Sequence, residues 1–221
     1  MSEIVIRHCR RGDESAIGAI EYRTGYYGED LRGRHYFDDK RLLCLLFACY
    51  YTRYEPEHGL VAVDAVAGDV LGYIVGTADT AAQEKRFQRE MAWKIRLRAE
   101  LVTRWRYPGT YKTFRGMWKM MGERSNPRFL HDYPAHLHID ILPEYHGQGI
   151  GTRLMKTFED HLIENGVPGV HLYTSSRNRK AVPFYKKMGY IIWEETKNSL
   201  NPKLAAQVDI TFTKKLLTVN G

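Results

Sequence analysis

Apolar and polar side chains alternate most cleanly between Ala135 and Leu142, where Leu137, Ile139 and Ile141 are separated by His136, His138 and Asp140. A period of two is that of a strand with one polar face, and Pro143 ends it by removing a backbone donor. Gly147, Gly149 and Gly151 then recur at every second position, and Leu154, Met155, Phe158, Leu162 and Ile163 resume at helical spacing. The stretch predicts a strand, a tight glycine turn and a helix start, whose free N–H groups attract phosphate.

The same periods order the rest of the chain. Ile4 to Arg7 predicts a short strand, and Gly12-Asp13-Glu14 starts a helix through Ile20 with Asp13 as N-cap. A connection from Tyr22 to Asp39 holds Tyr26, Tyr27, Tyr36 and Phe37, after which Asp38 or Asp39 caps an apolar helix reaching Tyr54. Gly59 to Ala65 and Val70 to Thr77 read as a hairpin turning at Ala67-Gly68-Asp69. Residues 80–134 form a helical insertion between the third and fourth strands: a long helix from Ala81 to Trp105, a break at Pro108-Gly109 and a helix from Tyr111 to Met121. Further on, Gly166-Val167-Pro168 closes the helix after the glycine turn and Val170 to Thr174 is a strand. Asn178 to Met188 is a helix with Pro183 in its first turn, and strands at Gly189 to Trp193 and Val208 to Leu216 complete the chain.

Composition changes this picture in three ways. A chain of 221 residues with 43% hydrophobic content can bury an ordinary core, so residues 1–221 are expected to form a single domain. The three cysteines, Cys9, Cys44 and Cys49, lack metal-ligand spacing, and Arg7, Arg10 and Arg11 interrupt any signal-like apolar run; a reducing cytoplasm is the default. The longest apolar run, Leu42 to Tyr51, falls far short of the ~20 residues of a membrane span. Charge is uneven: residues 84–128 carry 13 Lys or Arg against 4 Glu, more than the whole net +7. In this basic insertion Phe87, Met91, Ile95 and Leu101, with Trp93, Leu97 and Trp105 nearby, leave an apolar stripe. A helix packed on its own domain, a lid over an acceptor, a dimer surface and a patch for anionic partners all suit it. Nucleic acid is not expected, because no recognised binding motif accompanies the interleaved Trp and Arg.

The glycine turn argues against a dinucleotide and rules out a nucleoside-triphosphate loop. Thr152 stands where a dinucleotide fold needs its third glycine, and a nucleoside-triphosphate loop would need a lysine and a spacing that are absent. His146-Gly147-Gln148-Gly149-Ile150-Gly151 resembles instead the acyl-CoA motif [Q/R]-x-x-G-x-[G/A] of the GNAT superfamily of N-acetyltransferases, with His146 in place of Gln or Arg. Asn178 to Tyr190 resembles the second GNAT signature, N-x-x-A-x-x-F-Y-x-K-x-G-[FY], at every fixed place. The resemblance implies an α/β (α+β) fold with a mixed, mostly antiparallel sheet of about six to seven strands flanked by helices. It implies acetyl-CoA as cosubstrate, with no metal. The cofactor-binding residues by family position are Ile139, Ile141, His146, Gly147, Gln148, Gly149, Ile150, Gly151, Thr152, Asn178 and Tyr185.

An alkylamine has a reference pKa near ~10.4, so a general base is needed to free it for attack on the thioester. His136, His138 and Asp140 share one strand face and are the candidates. Ala135-His136-Leu137-His138 resembles the A-H-L-H stretch of arylalkylamine N-acetyltransferases, where both histidines accept protons. His138-Ile139-Asp140-Ile141 resembles the acetyltransferase-like domain of some O-GlcNAc hydrolases, where the acid acts. By family position the Ile141 N–H stabilises the oxyanion and Tyr185 reprotonates the departing thiolate. The expectation is direct acetyl transfer to a primary amine, on a small molecule or a protein lysine, in a ternary complex; a homodimer is conceivable and no membrane partner is expected. The alternative is a GNAT-fold module that binds acyl-CoA with weak or no catalysis and acts in recognition through its insertion.

Overall fold

The computed structural model describes residues 3–121, 129–197 and 208–216. Its strands are β1 (Ile4–His8), β2 (Gly59–Asp64), β3 (Val70–Thr77), β4 (Ala135–Ile141), β5 (Gly169–Ser175), β6 (Ile191–Lys197) and β7 (Val208–Lys215). They form one sheet in the order β1-β2-β3-β4-β5-β7-β6, antiparallel throughout except between β4 and β5. This is the mixed, mostly antiparallel sheet expected from the sequence.

Helices cover both faces. They are α1 (Asp13–Thr24), α2 (Lys40–Leu46), α3 (Cys49–Tyr54), α4 (Thr80–Glu90), α5 (Ala92–Arg98), α6 (Arg104–Arg106), α7 (Pro108–Met121), α8 (Ile150–Glu164) and α9 (Ala181–Lys187). One core joins α1 to α5 and α7 to the sheet through Ile17, Ile20, Leu42, Tyr50, Tyr73 and Val75. The second packs α8 and α9 on the opposite face against Leu60, Ala62, Ile74 and Leu137. Period-two alternation divides β4 between them, so Leu137, Ile139 and Ile141 enter the α8 core and the polar row faces α1 to α3. The helical repeat of Leu154, Met155, Phe158 and Leu162 is fully buried, each side chain contributing roughly 1.5–3 kcal/mol.

Several local expectations are revised by side-chain competition. Gly12, in the left-handed region, occupies the cap position of α1, because the Asp13 carboxylate takes hydrogen bonds from the Arg7 guanidinium and the Arg10 N–H. Asp39 does cap, accepting from the Leu42 N–H, but the apolar helix it starts is split at Phe47-Ala48 into α2 and α3. Cys44 and Cys49 bridge that split as a disulfide with Cα atoms 5.2 Å apart, a bond uncommon where thiols are kept reduced.

The long helix expected from Ala81 to Trp105 breaks at Met91 and widens into a π-helical turn at Ala99–Thr103. Five-residue spacing lines up in such a turn, so Arg98 and Thr103 both reach Asp39, at 2.7 and 2.6 Å. Pro108 opens α7, where its missing N–H leaves no helical bond unmade. The buried stripe is Phe87, Met91, Ile95 and Ala99; Leu101 lies instead on the outer face with Trp93, Leu97 and Trp105. Among the described residues no helix is long and apolar enough to cross a membrane.

Candidate active site

The parallel pair opens almost at once. β4 and β5 are in register at Ala135 with Val170 and His136 with His171, and from Leu137 onward the β4 edge on that side has no strand partner among the described residues. The Leu142 N–H donates to the Leu71 carbonyl at 2.9 Å, on the β3 side. Strand alternation therefore turns the Ile141 and Ile139 N–H groups into the gap. The Ile141 carbonyl shares that direction and accepts from His146 Nε2 at 2.9 Å.

The glycine turn closes one end of the gap. Gly147 and Gly149 both have φ of 78°, a left-handed backbone that an L side chain resists. This bend brings the chain into α8 with its first N–H groups, at Ile150, Gly151 and Thr152, unbonded within the helix; Arg153 is the first to donate back, to Gly149. A cavity of about 440 Å³ is lined by Ile139, Ile141, His146, Gly147, Gly149, Ile150, Gly151, Thr152, Asn178 and Tyr185. Of the residues expected to hold a cofactor, only Gln148 is absent from the lining; its amide turns back to the Glu144 carbonyl.

The second signature forms the facing wall. Asn178 Oδ1 accepts from the Ala181 N–H at 3.1 Å and so starts α9. Its amide lies against Gly28, where a Cβ would come within 3.1 Å of Oδ1. Lys180 and Lys187 also line the cavity. Lys180 Nζ is 3.5 Å from His146 Nδ1, which carries the imidazole lone pair once Nε2 donates to Ile141. These lysines add positive charge beside a helix start, an arrangement that suits a pyrophosphate.

Asp140 borders the cavity at the far end, alongside Tyr185. Tyr73 Oη donates to Asp140 Oδ2 at 2.9 Å. Burial pushes the Asp140 carboxyl up to about 6, against the opposing hydrogen bonds of Thr24 and Tyr73. Tyr185 is raised by burial and by the Asp140 charge, so its hydroxyl stays protonated across the neutral range. One carboxyl here went unnoticed in the sequence. Glu21 is buried on α1 with both oxygens lacking a hydrogen-bond partner among the described residues. Burial and then Asp140 raise it well above the usual carboxylate range.

The histidines are placed differently. His136 is buried, with Nε2 2.5 Å from Tyr51 Oη and Nδ1 2.7 Å from Thr80 Oγ1. Because the Thr80 hydroxyl donates to the Pro134 carbonyl at 2.6 Å, Nδ1–H is the donor to Thr80 and the Nε2 lone pair is taken by Tyr51. His138 packs beside the Phe47 and Tyr51 rings, and burial lowers it to about 4. Neither histidine borders the cavity that Asp140 and Tyr185 share. The structure thus keeps the three base candidates on one face and brings only Asp140 to the gap. Among the described residues no three His, Cys, Asp or Glu side chains are grouped to hold a metal ion.

Residues 112–190, which contain β4, the glycine turn and α9, match the model of the acetyltransferase (GNAT) family. A mycothiol acetyltransferase from Nocardiopsis dassonvillei is 36% identical over 56 residues, which are 25% of this chain and 17% of that protein. The aligned segment is thus a small part of that relative's length. Among solved structures, that of SsHAT superposes over 98% of this chain and 100% of its own with a TM-score of 0.77 and 29% identity. The yncA protein of Salmonella typhimurium, solved with acetyl-CoA, shares the fold at a TM-score of 0.58 and 12% identity, covering 99% and 96% of the two chains. Both signatures thus meet at one cavity inside this sheet, within the segment that matches the acetyltransferase (GNAT) family.

Proposed function

We propose that the protein is an acetyl-CoA-dependent N-acetyltransferase that moves acetyl directly to a primary amine within a ternary complex. The observation that carries this reading is the meeting, in one gap, of a phosphate-ready helix start, two inward strand N–H groups, a half-buried carboxylate and a protonated tyrosine. Ile150 to Thr152 with Lys180 and Lys187 hold the pyrophosphate, and the free β4 edge holds the pantetheine arm through Ile139 and Ile141. The acetyl carbonyl points at the Ile141 N–H, which stabilises the oxyanion.

Asp140 is assigned as base in preference to the histidines. It faces the cavity, and a carboxyl near 6 is ionised at neutral pH yet basic enough to accept a proton. His138, lowered to about 4, is a weaker base, and the lone pair of His136 is already engaged. Once the amine has attacked, the C–S bond breaks and the thiolate takes a proton from Tyr185. The neighbouring negative charge at Asp140 favours a cationic acceptor, so the substrate class is an alkylammonium, free or on a lysine. Incubation with acetyl-CoA and a panel of alkylamines and lysine peptides, followed by thiol release and product mass, tests the reading. Tight CoA binding with no acetylated product from any amine would return the protein to a binding module.

A further inference from the structure

Helix α5, the π-helical turn Ala99–Thr103 and α6 follow one another without a loop from Ala92 to Arg106. The buried side of this rod repeats every fourth residue: Met91, Ile95, Ala99 and Thr103 are all fully buried. Two positions further on, Trp93, Leu97, Leu101 and Trp105 form a second row with the same period, and these are 57, 52, 66 and 74% exposed. In a regular α-helix residues four apart drift by about 40° per step, so such a row would wind off to the side. The π turn, whose bonds reach five residues, advances less per residue and takes back part of that drift. Packing accounts for the buried row, which fills the core and bonds the Thr103 hydroxyl to Asp39. It does not account for the exposed row, where the domain needs no apolar side chains and water disfavours them.

Charge borders the exposed row on both sides. Arg96, Glu100 and Arg104 precede its members by one residue, and Lys94, Arg98 and Arg106 follow them. The acid among these, Glu100, is taken up by Arg104 at 3.4 Å and by the Tyr111 hydroxyl at 2.7 Å, and Arg98 is taken up by Asp39. Lys94, Arg96 and Arg106 have no ion-pair partner among the described residues. Lys94 Nζ lies 5.5 Å from the centre of the Trp93 ring and the Arg104 guanidinium 5.4 Å from that of Trp105, so cations and rings stand at one level. A second copy of the chain fits this face badly. Laid antiparallel, two rows set Arg96 opposite Arg104 and Lys94 opposite Arg106; laid parallel, they set one basic border against the other, and like charges meet either way. The row is also only about 18 Å long, short for the ~800 Å² that each partner of a stable dimer buries. Its side chains stand out from the surface instead of lining a groove, and an occupant must yield around them while presenting negative charge at the margins.

We propose that the face made by Trp93, Leu97, Leu101 and Trp105 docks on an anionic lipid bilayer. The rod lies in the plane of the interface, the four apolar side chains enter the boundary between headgroups and acyl chains, and Lys94, Arg96, Arg104 and Arg106 meet the negative headgroups. Tryptophan at both ends of the row suits this depth, because its ring body is apolar and its N–H stays among the polar headgroups. Crossing a bilayer and lying on one are different demands. Among the described residues no helix is long and apolar enough to cross, whereas an interfacial helix needs only an apolar face with a cationic border. None of these eight side chains lines the cavity, so lipid docking and CoA binding can be measured separately.

Cosedimentation of the full chain with vesicles tests the docking. Phosphatidylcholine vesicles containing phosphatidylserine are expected to bind it, with a blue shift of tryptophan emission and with binding that falls as salt is raised. Phosphatidylcholine alone should bind at least ~tenfold less. Trp93→Ser combined with Trp105→Ser should lower vesicle binding by at least ~tenfold, while Tm and CoA affinity hold, because exposed side chains contribute little to packing. Arg96→Glu combined with Arg106→Glu should remove the preference for phosphatidylserine. No binding to phosphatidylserine vesicles at low salt overturns the proposal, and so does vesicle binding that the serine pair leaves unchanged. A dimer in sedimentation velocity that the serine pair dissolves, or binding of polyglutamate that it abolishes while vesicles stay unbound, gives the face to a protein partner and equally overturns it.

Discussion

Tyr73 and Asp140 are register partners across β3 and β4, and the tyrosine hydroxyl donates to the carboxylate at 2.9 Å. A hydrogen bond to the charged form favours that form, so this contact holds Asp140 below where burial alone would put it. Tyr73→Phe should therefore raise the acid limb of kcat/KM. A hydrogen bond to a charged group contributes about 1.5 kcal/mol at the low end, or roughly one pH unit. A pH–rate profile on Tyr73→Phe checks this, and a limb that moves down would remove Asp140 as the group being titrated.

Tyr185 borders the cavity beside Asp140 and is buried, and its hydroxyl is raised by both effects. A group that stays protonated throughout the neutral range is always loaded as a donor to the departing sulfur. Tyr185→Phe should lower kcat by about 10²- to 10⁴-fold, the usual share of one acid or base, with KM for acetyl-CoA little changed. Full kcat in the phenylalanine variant would pass the proton donation to another group.

How far the site was legible in the sequence depends on which interaction carries each part. Backbone-driven features were readable: the period of β4, the glycines that need left-handed φ, and the helical resumption at Leu154 all follow from local sterics. Motif residues such as Asn178 and Tyr185 were readable by resemblance. The choice among His136, His138 and Asp140 was not, because it depends on Tyr51, Thr80 and Tyr73, which arrive from distant elements. Glu21 left one signal: a carboxylate at a stripe position shared with Ile17 and Ile20. A helix read as ending at Ile20 could not show it. The π turn was equally hidden, since the carboxylate that its Arg98 and Thr103 both bond is Asp39, 59 residues before Arg98.

Gly149 precedes α8 with φ of 78° and has open space where a Cβ would go, so only the backbone conformation opposes a side chain there. Gly149→Ala should therefore strain the turn by about 1–2 kcal/mol. If the turn relaxes to avoid the strain, the Ile150 to Thr152 N–H groups lose their aim at the pyrophosphate. The expected result is acetyl-CoA binding weakened by roughly tenfold, with ~1.4 kcal/mol per decade, and acceptor KM unaffected. Calorimetric titration with CoA measures it, and wild-type affinity would show that the helix start does not hold the phosphates.

The buried titratable groups also set how stability depends on pH. His136, His138 and His171 are all lowered, first by burial, the latter two to about 4. Their unfolded forms take a proton below the reference value of ~6.5 while the folded forms do not, so stability is lost as pH falls through that window. Asp140 and Glu21 act in the opposite sense, because a raised carboxyl binds more protons folded than unfolded. Between about pH 5 and 6.5 three histidines outweigh two carboxyls, and stability should rise with pH. Above ~6.5 the histidines are neutral in both states, and Glu21, raised in the folded chain by burial and then by Asp140, turns the slope the other way wherever it is protonated only when folded. Urea unfolding of the wild type from pH 5 to 8.5 should show a maximum near neutrality. In Glu21→Gln the decline on the alkaline side should be reduced, and an unaltered decline would show that Glu21 ionises no later in the folded chain than in the unfolded one.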